Sequence, residues 1–106
     1  MGLSAVYSVE NIIDAVKHAD IYRHVAAITG RYELMDLLLD ADLALSSADF
    51  TEQEETVIQY RLYDQLFQEE VAVLLNVSQP RVCQIEAEIH SKLKLILDRW
   101  EREYAD

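Results

Sequence analysis

The sequence predicts an all-α protein, and three observations carry that prediction. Apolar residues recur at three- and four-residue steps along most of the chain, the period of an amphipathic helix. Only two Gly and one Pro occur in 106 residues, too few for the turns of a β-rich chain. Apolar residues make up 51%, enough for a packed core and too many for a disordered chain. The length suits one domain.

Residues 1–7 read as a frayed start. Ser8 is placed to cap a helix of about Val9–Ala19, with Val9, Ile12, Ile13 and Val16 on one face. A second helical stretch, about Asp20–Thr29, carries Ile21, Val25 and Ile28 and is either separate from the first or continuous with it. Gly30 is a natural stop, because glycine takes the left-handed conformation without steric cost. A third helix, about Arg31–Leu45, aligns Leu34, Leu38, Ala41 and Leu45. Leu37 and Leu39 widen its stripe, so burial on more than one face is expected. Ser46-Ser47-Ala48-Asp49 is the clearest break. It separates an N-terminal helical element, residues 1–49, from residues 50–106. Dimerisation or partner binding is the expected role of the first part, and the two parts are expected to form one compact unit.

Thr51 and Glu54 have the spacing of a capping box, which starts a helix of about Glu52–Asp64 presenting Val57, Ile58, Leu62 and Tyr63. Asp64-Gln65-Leu66-Phe67 is a loop. Gln68–Leu75 forms the next helix, with Val71, Leu74 and Leu75 as its stripe. Asn76-Val77-Ser78 is a tight turn: Asn tolerates the left-handed ending, and Ser78 caps the helix beyond it. Pro80 falls in that helix's first turn, where its missing N–H is harmless. Val82, Ile85, Ile89 and Leu93 continue the apolar line, and Ile96, Trp100 and Tyr104 extend it. Helix, three-residue turn, helix is the helix-turn-helix spacing.

The residues around this turn resemble the fourth conserved region of bacterial sigma factors, over about residues 50–94. The resemblance rests on Thr51-Glu52-Gln53-Glu54-Glu55-Thr56-Val57, Glu69-Glu70-Val71-Ala72, Leu75-Asn76-Val77-Ser78, Arg81-Val82-Cys83-Gln84-Ile85-Glu86-Ala87 and Lys92-Leu93. It implies a promoter-reading helix-turn-helix that also binds RNA polymerase. Arg81 and Gln84 match the family and carry over as DNA contacts. The chain departs from the family at Gln79, Cys83 and Glu88, where basic residues are usual. It departs again at Pro80, which replaces a base-reading residue, and at Phe67, which replaces a capping Thr. The family's promoter sequence therefore does not carry over.

The resulting expectation is a regulator whose recognition helix is about Gln79–Ser91. On a helical wheel Pro80, Cys83, Gln84, Ala87, Ser91 and Lys94 lie opposite the core side, a small and acid-free face, with Glu86 and Glu88 on its flanks. Ser78, Gln79, Arg81, Gln84, Ser91 and Lys94 are the candidate DNA contacts: Gln pairs with adenine, and Arg reaches phosphate or guanine. Residues 78–94 carry three basic and two acidic side chains in a chain of net charge −11. That total opposes non-specific DNA binding, so the alternative is an acidic interaction module that binds polymerase or another regulator. Leu93, Ile96, Leu97, Trp100 and Tyr104 are read either as a docked helix end or as a dimer or partner seam. The expected partners are duplex DNA, a second copy of the chain and RNA polymerase, with no membrane.

No nucleophile–base set, phosphate-cradling loop or paired buried carboxylates is legible, so the chain is read as non-enzymatic and without cofactor. Cys83, Glu86 and His90 fall within two turns, but metal sites need three or four convergent ligands. A single cysteine and the lack of a leader pattern suit a cytoplasmic protein.

Overall fold

A computed structural model describes residues 8–104; the expected frayed start lies outside them. The chain forms α1 (Val9–Lys17), α2 (Ala19–Thr29), α3 (Glu33–Ser47), α4 (Glu52–Ile58), α5 (Gln68–Leu75) and α6 (Gln79–Tyr104), with a π-helical turn, Gln59–Tyr63, extending α4. No strand occurs among the described residues. None of their helices is long and apolar enough to cross a membrane.

Contacts gather the chain into two compact units. One comprises residues 49–92, and the other residues 8–48 with 93–104. α6 runs from one into the other, its 26 residues spanning about 39 Å at 1.5 Å per residue.

In the unit of residues 8–48 and 93–104, α1, α2 and α3 pack on one another. Ser8 caps α1 by accepting from the Asn11 N–H at 3.1 Å. α1 and α2 are separate helices: His18, at φ −122° and ψ 36°, breaks the helical path between them. Gly30 ends α2 at φ 70°. The core holds Val9, Ile12, Ala15, Ala26, Leu37, Leu38, Ala41, Ala44, Leu93, Ile96 and Leu97.

The expected stripe of α2 is overturned. Ile21, Val25 and Ile28 face solvent, at 60%, 36% and 70% exposure. The inward side of α2 is built from Ala26, with Ala19 and Tyr22 half-covered. Small residues let this helix lie close to its neighbours, and the Tyr22 hydroxyl donates to the Asp14 carboxylate on α1. That hydrogen bond, then burial and the negative charge, pushes the Tyr22 hydroxyl up to about 12. In α3, Leu37 joins the core with Leu38, Ala41 and Ala44, while Leu39 is exposed.

In the unit of residues 49–92 the core is Val57, Ile58, Leu62, Val71, Ala72, Val82, Ile85 and Ile89. Leu74, expected in this core, is 57% exposed; Ala72 takes the inward place. Thr51 and Glu54 form the full capping box, the Thr51 hydroxyl accepting from the Glu54 N–H and the Glu54 carboxylate from the Thr51 N–H. Glu54 is 3% exposed, which is rare for a carboxylate without a charged partner. Its partner is Lys92 of α6 at 2.5 Å. The same ammonium donates to the Asp49 carbonyl at 3.0 Å. Burial raises the Glu54 carboxyl, but the Lys92 and Thr51 hydrogen bonds and the lysine charge outweigh it and hold the group below its ordinary value.

Ile85 is fully buried, so Ile85→Ala should lower unfolding stability by about 2–5 kcal/mol in urea titration. Glu54 binds its proton more weakly folded than unfolded. Its contribution is therefore complete above the ordinary value of 4.5 and fades as pH falls through the lower folded value. The urea midpoint of the wild type should drop more steeply on acidification than that of Glu54→Gln; parallel curves would contradict the assignment.

Candidate nucleic-acid interface

The helix-turn-helix is assembled from α5, the turn 76–78 and the start of α6. Asn76 adopts φ 56° and ψ 46°, the left-handed ending its short side chain tolerates. The Val77 N–H reaches back to the Ala72 carbonyl at 3.0 Å. Ser78 caps α6: its hydroxyl accepts from the Arg81 N–H at 3.2 Å. At the start of α5, Phe67 has no side-chain acceptor, and the capping box is reduced to the Glu70 carboxylate accepting from the Phe67 N–H at 2.9 Å. The Phe67 ring is 71% exposed, so it is not held by packing.

The π-helical turn closes with the Asp64 N–H on the Gln59 carbonyl at 2.9 Å. Such wide turns shift the helix face beyond them. Leu62 points into the core, and Arg61 beside it reaches two partners. Its Nη1 donates to the Leu66 carbonyl at 2.8 Å, tying down the loop, and its Nε donates to Glu86 Oε1 at 2.5 Å. The second oxygen of Glu86 accepts from Gln68 Nε2. Gln68 Oε1 in turn accepts from Gln79 Nε2 at 3.1 Å. Glu86 thus links the α4 extension, α5 and α6. On the helical wheel it is only a flank residue; its partners are 18 and 25 positions away, so local spacing carries no sign of them.

The exposed side of the early part of α6 presents Gln79, Pro80, Cys83, Gln84, Ala87, Glu88 and Ser91, opposite the buried Val82, Ile85 and Ile89. Ser78 and Lys94 are exposed as well, and Arg81 is half-buried. Arg81 donates weakly to Gln84 Oε1 at 3.4 Å and to Gln53 Oε1 at 3.3 Å, and lies 3.7 Å from Glu88. Glu88 is the acid on this exposed side, and its pairing with Arg81 is largely in solvent. Lys94 pairs with Asp98 at 3.4 Å, largely in solvent, a contact worth little. Lys92, counted among the local cations, is turned to Glu54.

The candidate contacts Ser78, Gln79, Arg81, Gln84 and Ser91 fall on one stretch of α6 and its cap. Leu93, Ile96 and Leu97, one expected seam, are buried in the chain's own fold, and Trp100 is half-covered. Leu95 next to them is 64% exposed. Among the described residues no group of three His, Cys, Asp or Glu side chains converges to hold a metal ion.

Glu86→Ala should cost about 1–3 kcal/mol in urea unfolding, the penalty for leaving donors unsatisfied. The residual exposure of the Arg61 and Glu86 side chains, 26% and 21%, keeps it below the cost of a fully buried pair.

Residues 48–95 match the family model described as Sigma-70, region 4. No curated protein and no solved structure matches the chain. The capped turn, the helix pair and the family match agree on the same residues: the segment 48–95 is a sigma region 4-like helix-turn-helix domain, the kind of domain that binds DNA.

Proposed function

We propose that the protein is a sequence-specific, DNA-binding regulator of transcription whose recognition helix is the first half of α6, about Gln79–Ser91. The observation that supports this most is the composition of its exposed side. Small and amide side chains allow close approach to a major groove and carry hydrogen-bonding groups that base edges can match. The acid on this side, Glu88, has the Arg81 guanidinium 3.7 Å away. The helix-turn-helix unit as a whole is acidic, with nine Asp and Glu against three Lys and Arg over residues 49–92. Such a surface penalises non-specific DNA and leaves base-edge contacts to set selectivity. A dimer belongs to this reading, because helix-turn-helix dimers bind two half-sites about one helical turn apart and so double the contact area.

A second reading has its own support. α5 exposes Val73 at 80% and Leu74 at 57%, with Phe67 at 71% just before it, amid acidic side chains. A protein partner such as RNA polymerase would cover apolar residues of this kind, and the domain would then act by contacting the transcription machinery.

Selection from a randomised duplex pool at low salt separates the readings. The full chain should enrich a defined sequence, and Arg81→Ala and Gln84→Ala should each weaken its binding about fivefold or more, the lower range for one base contact. The salt dependence should be shallow, with a log–log slope of about −1 per bound copy, because Arg81 is the one Lys or Arg side chain of residues 78–91. Absence of any enriched sequence, with and without polymerase, would remove the DNA reading.

A further inference from the structure

The first residues of the two motif helices, Gln68 of α5 and Gln79 of α6, are joined side chain to side chain. The orientation of that pair is determined by charge. Glu86 Oε1 accepts from Arg61 and Oε2 from Gln68. A carboxylate only accepts, so Gln68 must turn its NH2 toward Glu86. Its Oε1 then faces Gln79, and Gln79 must turn its own NH2 toward Gln68. The relay from Arg61 through Glu86 and Gln68 therefore leaves no freedom to flip either amide without breaking a hydrogen bond. Gln79 is exposed, Gln68 half-covered.

One N–H of Gln79 is engaged by Gln68, and its second N–H and its Oε1 remain for a ligand. That is one donor and one acceptor on a planar group. Adenine offers the complement in the major groove, the N7 acceptor beside the N6 donor. Guanine offers two acceptors, N7 and O6, which would leave Gln79 Oε1 facing a lone pair. Gln84 is placed differently, because its Oε1 already accepts from Arg81.

We infer that Gln68 is a positioning residue that holds Gln79 ready to read one adenine in the major groove, with Arg61 and Glu86 fixing the orientation of Gln68. This rests on the DNA-reading proposal above. The gain is preorganisation: a free Gln side chain must give up its rotamers on binding, whereas Gln79 is already restrained by Gln68. A group that fixes a base-reading amide affects one base pair, whereas a group that only supports the fold affects all of them.

The test uses the full chain and the duplex enriched by the wild type, with each base pair varied in turn. Gln79→Ala should abolish the preference for adenine at one position, about fivefold or more. Gln68→Met, which keeps length but loses both hydrogen bonds, should erase most of the preference at that same position, and the double variant should be no worse than Gln79→Ala. Preferences elsewhere should change little, and the urea midpoint should fall by less than that of Glu86→Ala, because Glu86 keeps Arg61. If the wild type enriches no sequence, the DNA reading fails and takes the inference with it. If it enriches a sequence but Gln68→Met keeps the adenine preference, weakens every position equally, or acts at another base pair, the positioning role alone is overturned.

Discussion

Arg61, Glu86 and Gln68 form the junction on which the helix-turn-helix unit depends. Each comes from a different element: the π-helical extension of α4, then α6, then the first turn of α5. Apolar packing of Val57, Val71, Val82 and Ile85 brings these elements together but is non-directional. Hydrogen bonds to a carboxylate are directional, and here both oxygens of Glu86 are used. The junction lies beside the exposed side of α6, so the contacts that fix the helices also restrain Gln79 at the start of that side. A second carboxylate, Glu54, does similar work further along, joining the start of α4 to α6 through Lys92.

On the proposed reading, this arrangement accounts for how an acidic chain would present a helix to DNA. The three basic residues of the unit each have an acidic partner: Arg61 has Glu86, Lys92 has Glu54 and Arg81 lies near Glu88. Few cations remain for phosphate, and the exposed polar side chains of residues 78–91 include the amides of Gln79 and Gln84 and the hydroxyls of Ser78 and Ser91. Selectivity is then expected to come from hydrogen-bond matching more than from charge, with weak attraction for arbitrary duplex. The exposed apolar residues of α5 sit on the same unit, which keeps a protein partner compatible with a DNA contact.

Much of the fold is legible in the sequence because its signals are local. Asn76, Ser78, Gly30 and the Thr51–Glu54 box each act on backbone groups within a few residues, and each behaves as its chemistry predicts. The apolar line of α6 is legible for the same reason. The α2 stripe misleads because periodicity identifies an apolar face but not which face finds a neighbour; Ala26 and Tyr22 are covered while Ile21 and Ile28 are not. Leu74 misleads in the same way. The relay through Glu86 and the inward turn of Lys92 are invisible in the sequence because their partners lie 18 to 38 positions away. Matching such distant polar residues requires knowing how the helices pack.

Contact between the early part of α6 and duplex DNA, the central claim, is tested most directly by mapping. Backbone and side-chain amide resonances of the full chain should be followed as the selected duplex is added at low salt. The largest changes should fall on residues 78–91, including the side-chain amides of Gln79 and Gln84, with α2 and α3 little affected. Changes centred on Phe67, Val73 and Leu74, or spread over the first three helices with residues 78–91 silent, would contradict it.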